Sequence, residues 1–256
     1  MSAPTLRQWG LSPDHVDLRG IDGTQPRTTP RHLIAAPQNL TIDLAKTAII
    51  VVDMQNDFCS SGGWLDSIGV DVSAAADAIA PINALLPPLR SAGVPVIWLN
   101  WGNRPDQANL PPNVLHVYDA DGSGGGIGDA AALSDAVLQQ DSWGAAIVNT
   151  LAVDEHDIHV AKYRMSGFFD TPLDSILRQL RVDTVLFAGV NADQCVLATL
   201  TDAACLGYDV VMVEGASATT SPDFCLQATV YNVRQCFGFT TTPDALLSAL
   251  ASAPTP

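Results

Sequence analysis

Three residues stand where reactive groups would be useful: Asp53 directly after AIIVV, Lys162 after IHVA, and Cys195 a few residues after VLFAGV. A thiol with an ordinary pKa near ~8.5 is mostly protonated at pH 7, so a nucleophilic cysteine needs a cation, a helix N-terminus or a base beside it. Asp53 is able to take the thiol proton and return it to a leaving amine. Lys162 would hold Asp53 ionised and add positive potential that favours a thiolate and a developing oxyanion. Backbone N–H groups of the 191–195 turn would receive that oxyanion. Each residue also has a plainer reading. A lone cysteine is usually a small buried side chain, an aspartate after a strand often caps a turn, and a lysine is usually solvated. What separates the readings is whether one fold brings the three groups together.

The segments around them carry the pattern such a fold needs. TAIIVVDM is a continuous β-branched run, as in a strand buried on both faces of a parallel sheet. SAAADAIAPINALLPPLRSAG reads as a helix, with Asp71 or Ser73 as its cap and Gly93 beyond its end. The alternation continues with strands in VPVIWLN, HDIHVAKY, DTVLFAGV, DVVMVEGA and FTTT. Helices follow in TPLDSILRQLR, QCVLATLTDAACLG, SPDFCLQATVYNVRQCFG and PDALLSALAS. This predicts a three-layer, doubly wound, mostly parallel α/β sheet with helices on both faces. Ligands bind beyond the carboxyl ends of the strands in such a sheet, so the three groups are expected to converge on one crevice.

The domain expected from residues 44–256 is preceded by residues 1–43, rich in Pro, Arg and Thr without a sustained period. They read as an N-terminal extension over the body or a neighbouring subunit. The long 102–145 stretch, with GSGGG near its centre, is a candidate lid or interface.

Composition narrows the function classes. Hydrophobic residues make up 47% of the 256 positions and charged residues 15%, which argues against disorder. A net charge of −15 with only 12 Lys and Arg argues against nucleic-acid binding. No apolar run approaches the roughly 20 residues of a membrane span, and the start lacks the features of a secretory leader. Five cysteines, odd in number and without a CxxC, suit reduced thiols in the cytoplasm.

VVDMQNDF, AKYRMSGFFDTPLDSILR and GVNADQCVLATLTDAACLGYDVVMVEGASA together resemble the isochorismatase-like cysteine hydrolases. That family includes nicotinamidases, N-carbamoylsarcosine amidohydrolase, ureidoacrylate amidohydrolases and biuret hydrolases. The resemblance implies a six-stranded parallel sheet, a catalytic triad of Asp53, Lys162 and Cys195, and a thioester acyl-enzyme resolved by water. It also implies an oxyanion hole from the N–H groups of Asn191 and Cys195, after a cis bond at Val190–Asn191. The Asn191 side chain would either enter the pocket or turn outward to satisfy the backbone. Nicotinamidases carry metal-binding histidines after the second strand, where this chain reads WLNWGNRPD. His15, His32, His116, His156 and His159 all lie elsewhere, so no catalytic metal and no cofactor are expected.

RMSGFFDTPLDSILR, GGWLDSIGVDVS and IWLNWGNRPD are similar to the ureidoacrylate and biuret branch, which implies an amidohydrolase cleaving a C–N bond of a small amide or ureide. Expected substrate-binding residues are Asn56, Phe58, Trp64, Asn100, Trp101, Tyr163, Phe168 and Phe169, whose aromatic faces and amides suit a planar group. Arg164 would either bind a substrate carboxylate or sit in solvent. The alternatives are hydrolysis of a lactam, such as a streptothricin lactam or a γ-lactam, and a non-catalytic binding or scaffold protein on the same fold. The presence of all three triad residues opposes the last. The resemblance further implies a homodimer or homotetramer acting on a small molecule.

Overall fold

A computed structural model describes residues 7–19, 29–130 and 135–252. Among the described residues lies a central sheet of six parallel strands: β5 (Thr47–Val52), β6 (Val96–Trp101), β7 (Ile158–Lys162), β8 (Thr184–Gly189), β9 (Asp209–Ser217) and β10 (Phe239–Thr241). Their order is β10-β9-β8-β5-β6-β7. Chain order therefore reverses between β5 and β8, and the carboxyl ends of those two strands bound the crevice where doubly wound sheets place their ligands. The central strands explain the apolar runs: every residue of β5 and of β8 is buried.

Helices surround this sheet. They are α1 (Asn56–Cys59), α2 (Trp64–Ser67), α3 (Ser73–Asp77), α4 (Ile79–Ser91), α5 (Pro112–Leu115), α6 (Leu173–Gln179), α7 (Leu197–Cys205), α8 (Asp223–Asn232) and α9 (Pro243–Ala251). Of these, α4, α7 and α9 are packed on its strands. The helix expected from Ser73 onward is two helices that meet at Ala78. Pro81 lacks an N–H and its ring crowds the preceding turn, so the chain restarts and places this proline in the first turn of α4. Ile82, Leu85, Leu86 and Leu89 of α4 then recur at helical spacing and are fully buried. Ahead of α3, the Asp71 carboxylate accepts the Ser73 N–H at 2.9 Å.

The stretch before β5 contains β1 (Gly10–Leu11), β2 (His15–Asp17), β3 (Pro30–Leu33) and β4 (Asn39–Asp43), paired in the order β1-β2-β4-β3. Its Leu33, Leu40 and Ile42 are buried. Ala36 and Thr240 exchange N–H···O bonds of 2.9 Å in both directions, which covers the exposed edge of β10. Trp9 adds a bond of 2.9 Å from its indole N–H to Asp209, and Arg7 pairs with the same carboxylate. The described part of the segment thus lies on the body of its own chain; residues 1–6 and 20–28 lie outside the described residues. No helix among the described residues is long and apolar enough to cross a membrane.

Candidate active site

Asp53, the residue after β5, has a left-handed backbone (φ 48°) that ends the strand. Aspartate tolerates this region better than most residues, and its occurrence is common where a site over-determines the backbone. Lys162 is the last residue of β7, two strands away from β5 in the sheet. Two strand spacings amount to about 10 Å, a gap that a lysine stem and an aspartate side chain together can close. Cys195 lies on a π-helical turn, Ala192–Val196, that leads into α7. Such turns are frequent at functional sites.

These placements bring the three groups together. The Lys162 ammonium lies 2.8 Å from Asp53 Oδ2. It donates to Cys195 Sγ at 3.3 Å and to the Arg164 carbonyl at 3.2 Å, and it lies 4.1 Å from the centre of the Trp101 ring. An ammonium has three N–H donors, and here three acceptors face them while an aromatic face covers another side. Asp53 and Lys162 are fully buried, and Cys195 is 4% exposed.

Burial and charge act in opposite directions on each group. Burial raises the Asp53 carboxyl above its ordinary value although Lys162 pulls it down. Burial works against a charged Lys162, yet Asp53 and Cys195 together outweigh it and hold the ammonium. Burial also pushes the Cys195 thiol up; Lys162 opposes this and Asp53 reinforces it. Within the cluster, burial thus disfavours the charged form of each group, while the contacts with Lys162 favour the carboxylate and the thiolate. The positive potential expected from Lys162 is present at the sulfur, and burial opposes it.

The turn before Cys195 is built tightly. Gly189 has φ +112°, and a Cβ there would meet the backbone oxygen of Val52. Val190–Asn191 is a cis peptide bond. The Asn191 carbonyl accepts the N–H groups of Gln194 and Val196 at 3.0 and 3.2 Å. Its side-chain oxygen accepts from Thr220 N–H at 3.0 Å, so this amide turns to the backbone and not into the pocket.

The residues expected to bind substrate take different places in the fold, most of them with partners within the chain. Asn56 donates to the Trp143 carbonyl at 2.8 Å and anchors the long loop after β6. Its neighbours share that task. Gln55 donates to the carbonyls of Trp101 (2.7 Å) and Ala145 (2.6 Å) and accepts the Trp101 N–H at 2.7 Å, while Asp57 accepts the N–H groups of Leu138 (2.8 Å) and Trp64 (3.1 Å). Phe58 packs edge-on against Trp64, and Trp64 against Tyr118. Trp64 also donates to the Gly125 carbonyl at 2.7 Å. Trp101 is buried over Lys162 and bonds Asn103 at 2.6 Å. Asn100 precedes it on β6 and so points to the opposite face of the sheet, beside a cavity of about 480 Å³ that Trp101, Gln140 and His159 also line. Tyr163 stacks on Arg164, Phe168 on Tyr208, and Phe169 is exposed. Arg164 bonds the carbonyls of Asn109 (2.7 Å) and Tyr163 (3.0 Å) and lies 3.4 Å from Asp170, so its guanidinium is engaged within the chain.

The cavity beside Cys195, about 640 Å³, is lined by Val117, Tyr118, Met165, Gln194, Leu197 and Asp202, among others. Met165 sulfur lies 3.7 Å from Cys195 sulfur and links this cavity to the thiol. None of the eight residues expected to bind substrate lines it. A signal for part of the lining did exist: Gln194, Leu197, Ala198, Thr201 and Asp202 recur at helical spacing on the helix that Cys195 begins. Tyr118 had no such signal, since it arrives from the long loop.

Fold and site together define a doubly wound α/β protein with a thiol, a carboxylate and an ammonium gathered beyond the carboxyl ends of its strands. The model of the isochorismatase domain matches residues 47–245, and the chain belongs to that family. It is 36% identical over 238 residues to the ureidoacrylate amidohydrolase RutB of Rhizobium rhizogenes, covering 93% of this chain and 97% of the relative. It is 37% identical over 236 residues to RutB of Stutzerimonas stutzeri, covering 91% and 94%. Among solved structures, a cysteine hydrolase from Pseudomonas syringae pv. phaseolicola is similar with a TM-score of 0.69 and 26% identity, over 89% of this chain and 98% of that one. The N-carbamoylsarcosine amidase of Thermoplasma acidophilum shares the fold with a TM-score of 0.59 and 24% identity, over 78% and 97%.

Proposed function

We propose that the protein is an amidohydrolase that cleaves a C–N bond of a small amide or ureide through a thioester on Cys195. The observation that carries this reading is the fully buried Asp53–Lys162 ion pair in contact with the Cys195 thiol. The ureidoacrylate amidohydrolases to which the chain is similar support the reaction class.

As Cys195 sulfur attacks the substrate carbonyl carbon, Asp53 accepts the thiol proton. Burial raises Asp53 above an ordinary carboxylate and so makes its ionised form a stronger base. The carbonyl oxygen becomes an oxyanion facing the N–H groups of Asn191 and Cys195. Asp53 then gives the proton to the leaving nitrogen, the C–N bond breaks, and an amine or ammonia departs. Water attacks the thioester while Asp53 takes one of its protons, and the sulfur leaves and regains a proton. Lys162 stays an ammonium throughout: its donors are occupied and its neighbours hold it charged.

The test is an ammonia-release screen over ureidoacrylate, biuret, carbamoyl amino acids and nicotinamide, with lactams read by mass change. Turnover by the wild-type protein, its loss in Cys195→Ala, and an acyl adduct on the Cys195 peptide are expected. Turnover that survives Cys195→Ala would sink the mechanism.

A further inference from the structure

The cavity that Met165 separates from Cys195, its sulfur 3.7 Å from the thiol, has a charge pattern that the proposed reaction does not require. Its floor is apolar, formed by Met165, Leu197, Ala198 and Val117. Its charged lining consists of two carboxylates, Asp193 and Asp202, both partly exposed to the cavity. Neither pairs with a lysine or arginine among the described residues. The Thr219 hydroxyl donates to Asp193, which fixes one of these acids without neutralising it.

The cations nearest in sequence to the lining are committed elsewhere. Lys162 is buried, paired with Asp53 and saturated with acceptors. Arg164 is held by the Asn109 and Tyr163 carbonyls and by Asp170. A carboxylate-bearing ligand entering this cavity would therefore lose hydration beside two like charges and meet no lysine or arginine of the lining. An ammonium would meet two acceptors above an apolar floor, the arrangement that stabilises a cation at partial desolvation.

We infer that this cavity selects amides carrying a positive charge and rejects those carrying a carboxylate, with Asp193 and Asp202 as the specificity-determining residues. The inference rests on the amidohydrolase reading only for taking Cys195 as the reacting atom. It separates this chain from a substrate of the ureidoacrylate type, whose acrylate group is an anion.

Charged thiol reagents read the potential without requiring turnover. The rates at which 2-aminoethyl and 2-sulfonatoethyl methanethiosulfonate modify Cys195 are followed on the Cys195 peptide by mass spectrometry, each normalised to its rate with 2-mercaptoethanol. With the reagent charge taken at ~10 Å from each carboxylate, screened attraction favours the cationic reagent roughly sevenfold at 10 mM salt and about twofold at 150 mM. Asp202→Asn is expected to remove about half of that preference on a logarithmic scale, and Asp193→Asn/Asp202→Asn nearly all of it. A faster anionic reagent, a ratio that neither variant nor salt moves, or failure of both reagents to reach Cys195 would each overturn the inference. If Asp202→Asn does not fold, Asp193→Asn alone is expected to remove the other half of the preference, and an unchanged ratio in it overturns the inference. Turnover is measured separately, so loss of the hydrolase reading leaves the labelling result interpretable.

Discussion

Replacing Lys162 with methionine removes the one cation paired with Asp53 among the described residues, while keeping much of the volume packed against Trp101. Asp53 is then a buried carboxylate with no counter-charge. Breaking a buried ion pair from one side costs about 3–5 kcal/mol, which for a domain of this size is a fall in Tm of roughly 6–20 °C. The carboxyl has an escape, which is to bind a proton. Its folded pKa is already raised by burial, and the loss of Lys162 raises it further. A group with a raised folded pKa stabilises the fold below its unfolded value of ~3.9 and loses that contribution as pH rises toward the folded value. The Lys162→Met deficit should therefore be small near pH 4 and grow toward neutrality. Activity should fall by about 10²–10⁴-fold at pH 7, since a protonated Asp53 is no longer a base. The double variant Asp53→Asn/Lys162→Met removes both charges and should recover most of the stability but none of the activity. Urea unfolding at pH 4.5 and 7, with ammonia release in parallel, gives both readings. A single variant within about 1 kcal/mol of wild type at pH 7 would refute the reasoning, as would a double variant no more stable than the single.

Three further outcomes are expected. The acid limb of kcat/KM should lie above the ordinary carboxylate value of ~3.9, because burial raises Asp53; a pH–rate profile with its acid limb at or below that value would contradict Asp53 as the base. Asp209, raised to about 6 by burial against the pull of Arg7, loses its stabilising contribution as pH climbs from about 4 to about 6. Asp209→Asn should accordingly gain about 3 kcal/mol relative to wild type between pH 4 and pH 7 in denaturant titrations. Gly144→Ala would drive a Cβ into the Asp57 carboxylate that holds the loop at Leu138; a loss of about 1–3 kcal/mol, measured by thermal unfolding, is expected together with reduced turnover.

Much of this molecule was legible as a string of residues, for a physical reason. Strand and helix periodicities are local, so TAIIVV, TVLFAG and the stripe of Ile82, Leu85, Leu86 and Leu89 announce their elements wherever they fall in a fold. The βαβ alternation then restricts where chain ends and strand ends lie, which is why Asp53, Lys162 and Cys195 were expected in one crevice. Contacts that cross the chain had no such local signature. The bond from Asn56 to the Trp143 carbonyl could not be read locally, because the loop that receives it returns almost ninety residues later.

The pleat decided between Asn100 and Trp101. Neighbours on β6 face opposite sides, and the register pairing Trp101 with Lys162 puts the indole on the ammonium and the amide on the other face of the sheet. Burial pushes the Cys195 thiol up, against the pull of Lys162. Sequence set its type and its helix start, but desolvation depends on everything packed around it, and only the assembled fold fixes that.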